Sequence, residues 1–432
     1  MLISGWGNYP KLDSNQQFVS TVKELSRILR NEDFNGIIRA SARSYGDSSI
    51  AQNTINLSNM NKIISFNHKN GTLRCQSGTT INEIITHTID YGWFFPVIPG
   101  TKFVSIGGAI SSDVHGKNHH IHGCISNFVG SIKILLPSNE IIDCSKKENP
   151  ELFYAICGGM GLIGIIIEVD IQLIKIPSSY IQEKSLFFDN LDELLINFEK
   201  YNDYLYSVAW LDFFSLKREK INNILYLGRY EEDQGFDKIS RSKINIPSWN
   251  YVNFLNNLNI KLFNHLKVSL SKKSNTITKH IDKYFFPLDA INNWNNLYGR
   301  KGFIQYQFVI PIENGISGLK EIMKLIEFST IKPYLSVLKL FGDKNKNLLS
   351  FPIKGWTLAL DFKNDKSILD LIRSLDAVVK NYNGKIYLTK DSLMTEEMFK
   401  STYENWEKFT NIRKEIGAEK VFNSVQSMRL GI

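Results

Sequence analysis

The sequence predicts an α+β protein made of two domains. Its 432 residues are enough for two domains with a sizeable core. Hydrophobic residues make up 43% of the chain and aromatic residues 12%, as in ordered globular proteins. The composition changes near Pro177, and aromatic residues then alternate in strand-like runs. We therefore expect the two domains to meet near residue 179.

The first part of the chain alternates predicted helices and strands. Leu25, Ile28 and Leu29 fall on one face of a predicted helix over residues 16–30. Gly92 suits the C-cap of a second helix over residues 81–92. Short strands are expected at 36–40, 54–64 and 72–76, a polar turn at 42–49, and a hairpin at 125–144.

The residue pattern in the second part of the chain predicts a larger sheet accompanied by helices. Alternating apolar residues indicate strands at 206–214, 223–230, 303–311, 334–342 and 355–362. Helical spacing indicates helices at 315–328 and at 368–384, the latter closed by Gly384.

A further helix is indicated by an apolar stripe that lysines accompany. The stripe comprises Tyr251, Phe254, Leu255, Leu258, Leu262, Leu266 and Leu270, and the lysines are Lys261, Lys267, Lys272 and Lys273. Such a basic amphipathic helix is typical of a membrane surface or of a cap over an apolar tunnel. An ordinary helix that covers the sheet gives the same pattern.

The segment from Pro99 to His122 is poor material for a core helix or strand. Gly107 and Gly108 allow a close approach of the backbone to a ligand, and Ser105, Ser111 and Ser112 offer hydroxyl groups to an anion. His115, Lys117, Asn118, His119 and His120 add donors and titratable groups. We interpret this segment as a cofactor pocket rather than a structural element.

Two alternatives for this segment stay open. His119, His120 and His122 are close enough in sequence for a zinc site, but HExxH spacing and CxxC pairs are absent from the chain. A purely structural loop would also tolerate these residues. We predict no metal site.

Gly159, Gly161 and Gly164 form a GxGxxG pattern that does not indicate a Rossmann fold. In that fold the glycines close a strand and open a helix. Here the β-branched run Ile165–Ile167 follows them and predicts a strand.

Charge and composition bound the class of protein. The net charge of +8 and the pI near 9.0 favour anionic partners, yet no basic stripe or nucleic-acid-binding module is present. Four scattered cysteines give no disulfide framework, and the first fifteen residues lack the pattern of a signal peptide. We expect a cytoplasmic protein or one held peripherally on the inner membrane.

Taken together, the motifs resemble the vanillyl-alcohol-oxidase-type (PCMH-type) FAD oxidoreductases, and within them the decaprenylphosphoryl-β-D-ribose 2-oxidase group. The resemblance spans nearly the whole chain and rests on ARSYGD at 42–47, PGT at 99–101, GGAISSDVHGKNHH at 107–120, QYQFVIP at 305–311 and TKDS at 389–392. It implies a two-subdomain FAD-binding domain over residues 1–179. It also implies a substrate domain with an antiparallel sheet flanked by helices over 180–384, and a C-terminal segment, 385–432, that returns to the first domain.

The resemblance also implies the residues of the site. Those expected to hold FAD are Arg39, Ala40, Ser41, Ala42, Arg43, Ser44, Tyr45, Gly46, Pro99, Gly100, Thr101, Ser105, Gly107, Gly108, Ser111, Ser112, Val114, His115, Asn118, Gly159, Gly161, Gly164, Ile165 and Tyr387. Those expected to contact the substrate are Lys117, Gln305, Gln307, Lys339 and Lys390.

Three departures from the family pattern bear on the chemistry. Tyr45 stands where many relatives carry a histidine bonded to the flavin, so non-covalent FAD is expected. Ala40 and Ala42 replace the usual glycines of the pyrophosphate loop, and Ala359 replaces a cysteine of mycobacterial members.

The implied reaction is oxidation of a sugar secondary alcohol to a ketone, at C2 of a polyprenyl-phosphoryl pentose, with a separate short-chain reductase completing an epimerisation. His115, Tyr387 and Lys390 are the candidate catalytic residues, and either His115 or Lys390 could serve as the base. A protonated Lys390 could instead stabilise the developing alkoxide or the negative charge of the reduced flavin. A salt bridge between Lys390 and Asp391 is the structural alternative for that lysine. The alternative functions are an aldonolactone or alditol oxidase, a flavin-free sugar-binding protein and a nucleic-acid-binding protein.

Overall fold

The fold was determined as a computed structural model, which describes residues 1–31, 34–232, 234–238, 244–247, 255–272 and 276–432. The first 179 residues contain twelve short strands within the described ranges: β1 (Leu2–Ser4), β2 (Lys11–Asp13), β3 (Asn15–Phe18), β4 (Ile37–Arg39), β5 (Asn53–Asn56), β6 (Ile63–Asn67), β7 (Thr72–Gln76), β8 (Trp93–Phe94), β9 (Val129–Leu135), β10 (Ile141–Cys144), β11 (Ile165–Gln172) and β12 (Ile174–Lys175). Their helices are α1 (Val22–Leu29), α2 (Ile81–Thr88), α3 (Ile106–Ser111), α4 (His119–His122) and α5 (Pro150–Ile156).

Two sheets of opposite character organise this first region. Strands β3, β5 and β4 pair in parallel, and β10, β9, β11, β7 and β6 pair in antiparallel order. The predicted hairpin is β9 and β10, and β11 is the strand that follows the GxGxxG glycines, as expected.

Helix α1 is shorter than the predicted helix over residues 16–30. Residues Asn15–Phe18 form β3 instead, and Thr21 caps the helix, since its side chain accepts from the Glu24 backbone N–H while the Glu24 carboxylate accepts from the Thr21 N–H. The capping box fixes the start of the helix at residue 22. Leu25, Ile28 and Leu29 are buried, as predicted.

The remaining chain contains ten strands within the described ranges: β13 (Tyr180–Asn190), β14 (Tyr206–Lys217), β15 (Lys220–Tyr230), β16 (Ile244–Asn245), β17 (Thr276–His280), β18 (Ile291–Asn292), β19 (Phe303–Pro311), β20 (Leu335–Phe341), β21 (Gly355–Lys363) and β22 (Lys385–Ile386). The helices there are α6 (Leu191–Lys200), α7 (Asn257–Ser271), α8 (Ile281–Phe285), α9 (Gly315–Phe328), α10 (Ile368–Asn381), α11 (Glu396–Thr402), α12 (Trp406–Glu415), α13 (Ala418–Val421) and α14 (Val425–Leu430).

Eight of these strands form one antiparallel sheet in the order β17-β13-β15-β14-β20-β21-β19-β22. Helices α6, α9 and α10 cover one face of it, where Phe308, Leu358 and Ile322 join the main core. Helix α7 packs against β13 and β15. The fold is therefore the predicted α+β arrangement, with a large antiparallel sheet flanked by helices.

Helix α10 ends before the predicted Gly384. The left-handed residue after the helix is Asn383, at φ 56°, while Gly384 is required because a Cβ there would lie 2.5 Å from the Val309 carbonyl oxygen. The glycine therefore permits close packing of the chain against β19 rather than capping the helix.

The C-terminal segment packs against the first region. The Gly36 N–H donates to the Val421 carbonyl at 3.0 Å, and the Asn423 N–H donates to the Gly36 carbonyl at 2.8 Å. Arg429 donates to both carboxylate oxygens of Asp47 and to Asp391. This partly buried network anchors the end of the chain beside residues 42–47 and 389–392.

Candidate active site

A cavity of about 620 Å³ lies between the first region and the face of the large sheet that α6, α9 and α10 do not cover. Sixteen of the predicted cofactor residues line it: Ala40, Ser41, Ala42, Arg43, Ser44, Tyr45, Pro99, Gly100, Thr101, Ser105, Gly108, Ser111, Ser112, Val114, His115 and Tyr387. All five predicted substrate residues, Lys117, Gln305, Gln307, Lys339 and Lys390, line it as well. Residues far apart in sequence thus share one cavity.

One wall of the cavity is the loop over residues 40–45. The backbone N–H groups of Trp6 and Gly7 donate to the carbonyls of Ser44 and Tyr45, and the Arg43 guanidinium stacks on the Trp6 ring at 4.0 Å. Ala42 has φ 53°, in the left-handed region that favours glycine. The loop is therefore held in a strained form beside the cavity.

The segment from Pro99 to His122 is more regular than predicted. Residues Ile106–Ser111 form α3, because the Ser105 side chain caps the helix and accepts from the Gly108 N–H. Gly107 packs against Ser77, where a Cβ would lie 2.9 Å from the Ser77 Cβ. Gly108, Ser111 and Ser112 face the cavity, so the segment is both a structural helix and a cavity wall.

His115 sits in a cage of aromatic rings at the base of the cavity. Its ring centroid is 4.7 Å from Phe341, 5.0 Å from Tyr387 and 5.7 Å from Phe351. The Gln307 side-chain amide donates to His115 Nε2 at 3.1 Å and is also 3.1 Å from the Thr357 hydroxyl. Burial lowers the pKa of His115 well below its ordinary value, so the ring is neutral at neutral pH.

Tyr387 links the large sheet to α3. Its backbone N–H donates to the Gln307 carbonyl at 2.8 Å, and its hydroxyl donates to the Ser112 carbonyl at 3.2 Å. The ring stacks on Phe351 with centroids 4.7 Å apart. Burial raises the pKa of Tyr387, so the phenol stays protonated.

Lys390 points into the cavity rather than to Asp391. Its ammonium lies 3.3 Å from the centroid of the Tyr45 ring, and Asp391 instead accepts from Arg429 at 2.8 Å. The structural alternative of a Lys390–Asp391 salt bridge is therefore wrong. Burial lowers the pKa of Lys390, and the Asp361 carboxylate opposes that shift.

Two further lysines bring positive charge to the cavity. Lys117 donates to the Tyr284 carbonyl at 2.7 Å and lies 4.1 Å from that ring's centroid. Burial lowers the pKa of Lys117 to about 7 and that of Lys339 to about 8. The cavity is thus suited to an anionic group, which would hold both lysines in the charged form.

Eight predicted cofactor residues lie behind the cavity wall: Arg39, Gly46, Gly107, Asn118, Gly159, Gly161, Gly164 and Ile165. Arg39 donates to the Ser4 and Ser49 carbonyls and Asn118 to the Pro96 carbonyl. A Cβ at Gly46 would clash with the Asp391 carbonyl, and one at Gly159 with the Ala155 carbonyl. Their visible role is to position the wall, and contact with FAD stays a prediction for them.

The histidines proposed as an alternative zinc site have separate partners. His119 Nδ1 accepts from the Gly342 N–H at 3.1 Å, His120 Nε2 is 2.9 Å from the Tyr204 carbonyl, and His122 Nδ1 is 3.0 Å from Asn118. Within the described residues, no three His, Cys, Asp or Glu side chains form a group that could hold a metal ion.

Comparison with known proteins identifies the family of the chain. Residues 18–145 match an FAD-binding-domain family, and residues 176–430 match the D-arabinono-1,4-lactone oxidase family. The decaprenylphosphoryl-β-D-ribose oxidase of Mycolicibacterium smegmatis is 30% identical over 448 aligned positions, covering 99% of this chain and 97% of that protein. The chain belongs to the PCMH-type FAD-dependent oxidoreductases.

More distant relatives of this FAD-dependent oxidoreductase match over a shorter region. D-lactate dehydrogenase of Anaerostipes hadrus is 29% identical over 33% of this chain and 30% of its own length. L-galactono-1,4-lactone dehydrogenase 1 of Oryza sativa is 26% identical over 34% of this chain and 24% of its own length. Oxidoreductases of several small hydroxylated substrates therefore share part of this sequence.

The residues of the oxidoreductase fit FAD at the cavity. His115 Nδ1 is buried there without a hydrogen-bond partner among the described protein atoms, and Tyr387 and Phe351 present stacked rings next to it. A Cβ built on Gly100 would meet nothing within 4 Å, so the loop at residues 99–101 borders open space. The 40–45 loop and the cavity face of α3 would hold the cofactor.

Sequence reasoning missed the apolar wall of the cavity. Val208, Trp210, Tyr226 and Val337 line it from the sheet, and Ile260 and Phe263 line it from α7, with the polar Asn264 and Lys267 of α7 also in the lining. The sheet residues alternate along their strands, so strand periodicity could have placed them on the face of Gln305 and Gln307. For α7, a cap over an apolar tunnel was one of the interpretations that the sequence left open. The sequence did not show which residues face the cavity, because the face of α7 that packs inward is not the one richest in leucine.

Proposed function

We propose that the protein oxidises C2 of a polyprenyl-phosphoryl pentose to a ketone, as the first half of an epimerisation. The observation that carries the proposal is a cavity in which Gln305, Gln307 and Lys339 form a polar floor beneath an apolar wall. The amides of Gln305 and Gln307 can hydrogen-bond to sugar hydroxyls, and Lys339 can bind a phosphate. The apolar wall can pack against a polyprenyl chain. The name of the Mycolicibacterium smegmatis relative agrees with this substrate class.

FAD, when bound, supplies the acceptor for the hydride that leaves the carbinol carbon. Lys390 accepts the proton of the same alcohol as the carbonyl bond forms, because its lowered pKa leaves a fraction of free amine at neutral pH. His115 is less suited to this step, since its Nε2 already accepts from Gln307 and Nδ1 therefore carries the ring proton. We propose that His115 and Gln307 orient the site instead.

The proposal is tested with a synthetic short-chain prenyl-phosphoryl ribose under anaerobic conditions. We expect bleaching of the flavin absorbance and a keto product that a short-chain reductase can reduce to the epimer. D-Arabinono-1,4-lactone and an alditol serve as comparison substrates. Bleaching by the lactone or the alditol and not by the lipid-linked sugar would contradict the proposal.

Aldonolactone oxidation is the second candidate function. It is favoured by the match of residues 176–430 to the D-arabinono-1,4-lactone oxidase family. A lactone carries no phosphate, so it offers no anionic group of its own to Lys117, Lys339 and Lys267 in the cavity. A preference for phosphorylated substrates that is lost in Lys339→Met would decide against the lactone.

We also propose that FAD is held without a covalent bond. Tyr45 occupies the position where a histidine bonds the flavin in many relatives, and its ring packs edge-on against Phe303 at 5.3 Å beneath Lys390. Acid precipitation of the purified protein should release the flavin into the supernatant. Flavin retained in the pellet would show a covalent link and contradict the proposal.

A further inference from the structure

Helix α7 turns its most apolar face away from the protein. The exposed fractions of its side chains are 75% for Leu258, 60% for Leu262 and Phe263, 55% for Leu266 and 77% for Leu270. The buried positions are Ile260, Asn264 and Val268. The sequence left three settings open for this stripe: a membrane surface, a cap over an apolar tunnel, or an ordinary helix that covers the sheet. Tyr251, Phe254 and Lys273 of the same prediction fall outside the described residues.

The inward face of α7 explains its orientation. Asn264 donates to the buried Asp212 carboxylate at 2.7 Å, and Val268 packs with Trp210 and Ile224 of the sheet. The Lys267 ammonium lies 4.1 Å from the Trp210 ring centroid. These contacts fix the helix on the sheet and leave the leucine stripe outside.

The charges around the stripe suit an anionic surface. Residues Asn257–Ser271 include no Asp or Glu, while Lys261 and Lys272 are exposed along one border of the stripe, with the exposed polar side chain of His265 between them. Exposed leucines bordered by cations are the pattern of a helix that lies in the interface of a bilayer. Among the described residues, no helix is long and apolar enough to cross a membrane.

The cavity reaches the surface beside this stripe. Phe263 lines the cavity and is also 60% exposed, and Leu288 likewise lines the cavity and is 38% exposed. An apolar path therefore joins the leucine stripe to the active site. A substrate tethered to a bilayer by an apolar chain would enter along this path, and this link rests on the proposed function.

We propose that the exposed face of α7, formed by Leu258, Leu262, Phe263, Leu266 and Leu270, docks on an anionic lipid bilayer and holds the mouth of the active site against it. The docking itself requires no particular substrate. It requires only the apolar stripe and the cations beside it, so it can be measured separately from the reaction.

The test is sedimentation of the FAD-loaded protein with vesicles made of equal parts phosphatidylcholine and phosphatidylglycerol. We expect the wild-type protein to sediment with these vesicles and the double variant Leu262→Glu, Leu266→Glu to stay in the supernatant. Neither residue lines the cavity, and both are exposed, so the variant should keep its flavin and its rate with a short-chain substrate. Phe328→Glu, in α9 on the other side of the sheet and 79% exposed, is the matched control and should sediment like the wild type.

The contribution of charge is tested with Lys261→Gln, which should weaken vesicle binding about fivefold, since one lysine near an anionic surface contributes ~1 kcal/mol. Wild-type protein that stays in the supernatant would overturn the proposal. So would a wild-type dimer in light scattering that the double variant splits, because the stripe would then be an interface between two copies. Vesicle binding without oxidation of a prenyl-phosphoryl pentose would contradict the proposed substrate and leave the docking surface intact.

Discussion

The two faces of the eight-stranded sheet carry opposite kinds of residue on the same strands. Along β19, Tyr306 and Phe308 point to the face covered by helices, whereas Gln305 and Gln307 point to the cavity. Across the sheet, Leu358 pairs with Phe308, and Ala359 pairs with Gln307. The alternation of a strand thus assigns packing to one face and chemistry to the other.

The polar face is unusual because it is buried. Gln305 and Gln307 are 8% and 4% exposed, and Thr357 and Asp361 are 1% exposed. In a sheet with one solvated face, polar residues of that kind would contact water. Here the first region covers them. The side-chain N–H groups of the two glutamines bond to Asp361, Thr357 and His115, and the hydrogen-bonding capacity that remains is offered to a cofactor and a substrate instead of to water. A polar face of a sheet that is buried under another layer of the fold therefore indicates a binding site between the two layers.

The largest effect is expected from Lys390, which lines the same cavity as this polar face. Lys390→Ala should slow flavin reduction by the substrate roughly a hundredfold to ten-thousandfold, the range for losing a general base. Anaerobic stopped-flow absorbance measures the rate, and flavin content checks that FAD stays bound. Lys385→Ala is the control, because Lys385 lies on the same segment outside the cavity lining. An unchanged rate in Lys390→Ala would place the base elsewhere.

Substitutions of two neighbouring residues on β19 should affect stability and activity differently. Phe308→Ala should lower the free energy of unfolding by about 3–5 kcal/mol, since it empties a fully buried site on the helix-covered face. Gln307→Ala should lower it by less, about 1–3 kcal/mol, since it removes the hydrogen bonds to His115 and Thr357 and leaves these buried groups without that donor. It should nevertheless reduce kcat/KM, because the substrate and His115 both lose a partner.

Urea unfolding followed by circular dichroism gives the two free energies, and steady-state kinetics gives the activities of the folded fractions. The contrast between the faces fails if Gln307→Ala unfolds as easily as Phe308→Ala. It also fails if Gln307→Ala keeps full activity.

A pH effect is expected from Lys339 on the polar face. Burial holds its pKa at about 8 in the folded protein, below the ordinary value of 10.5, so the unfolded chain binds the proton more tightly. Below about pH 8 the buried charged ammonium lowers the free energy of unfolding by its full amount. This destabilisation disappears as the pH rises from about 8 to 10.5. Lys339→Met should therefore stabilise the protein at pH 7 by at most about 3 kcal/mol.

The check is a series of urea unfolding curves across that pH range. The stability difference between Lys339→Met and the wild type should shrink as the pH rises. A difference that stays constant would mean that Lys339 does not titrate there.

Much of the fold and of the cavity lining could be predicted from the sequence, because both rest on local patterns. The β-branched run after Gly164 predicted β11, and the motif residues His115, Gln307 and Lys390 do line one cavity. The outward orientation of α7 could not be predicted. Its leucine stripe has the spacing of a core face, and only the contacts of Asn264 and Val268 with the sheet decide which side is buried.

The smallest effect is expected at Ala42, in the loop that faces the polar side of the sheet. Its φ of 53° costs an alanine about 1–2 kcal/mol relative to glycine, whereas glycine loses part of that gain through the greater entropy of the unfolded chain. Ala42→Gly should therefore raise the free energy of unfolding by about 1 kcal/mol, as measured by urea unfolding. Ala40→Gly, in the same loop and without a positive φ, should not stabilise the protein. Equal effects of the two substitutions on the free energy of unfolding would show that the loop beside the cavity stores no backbone strain. The two faces of the sheet would then differ only in the polarity of their side chains.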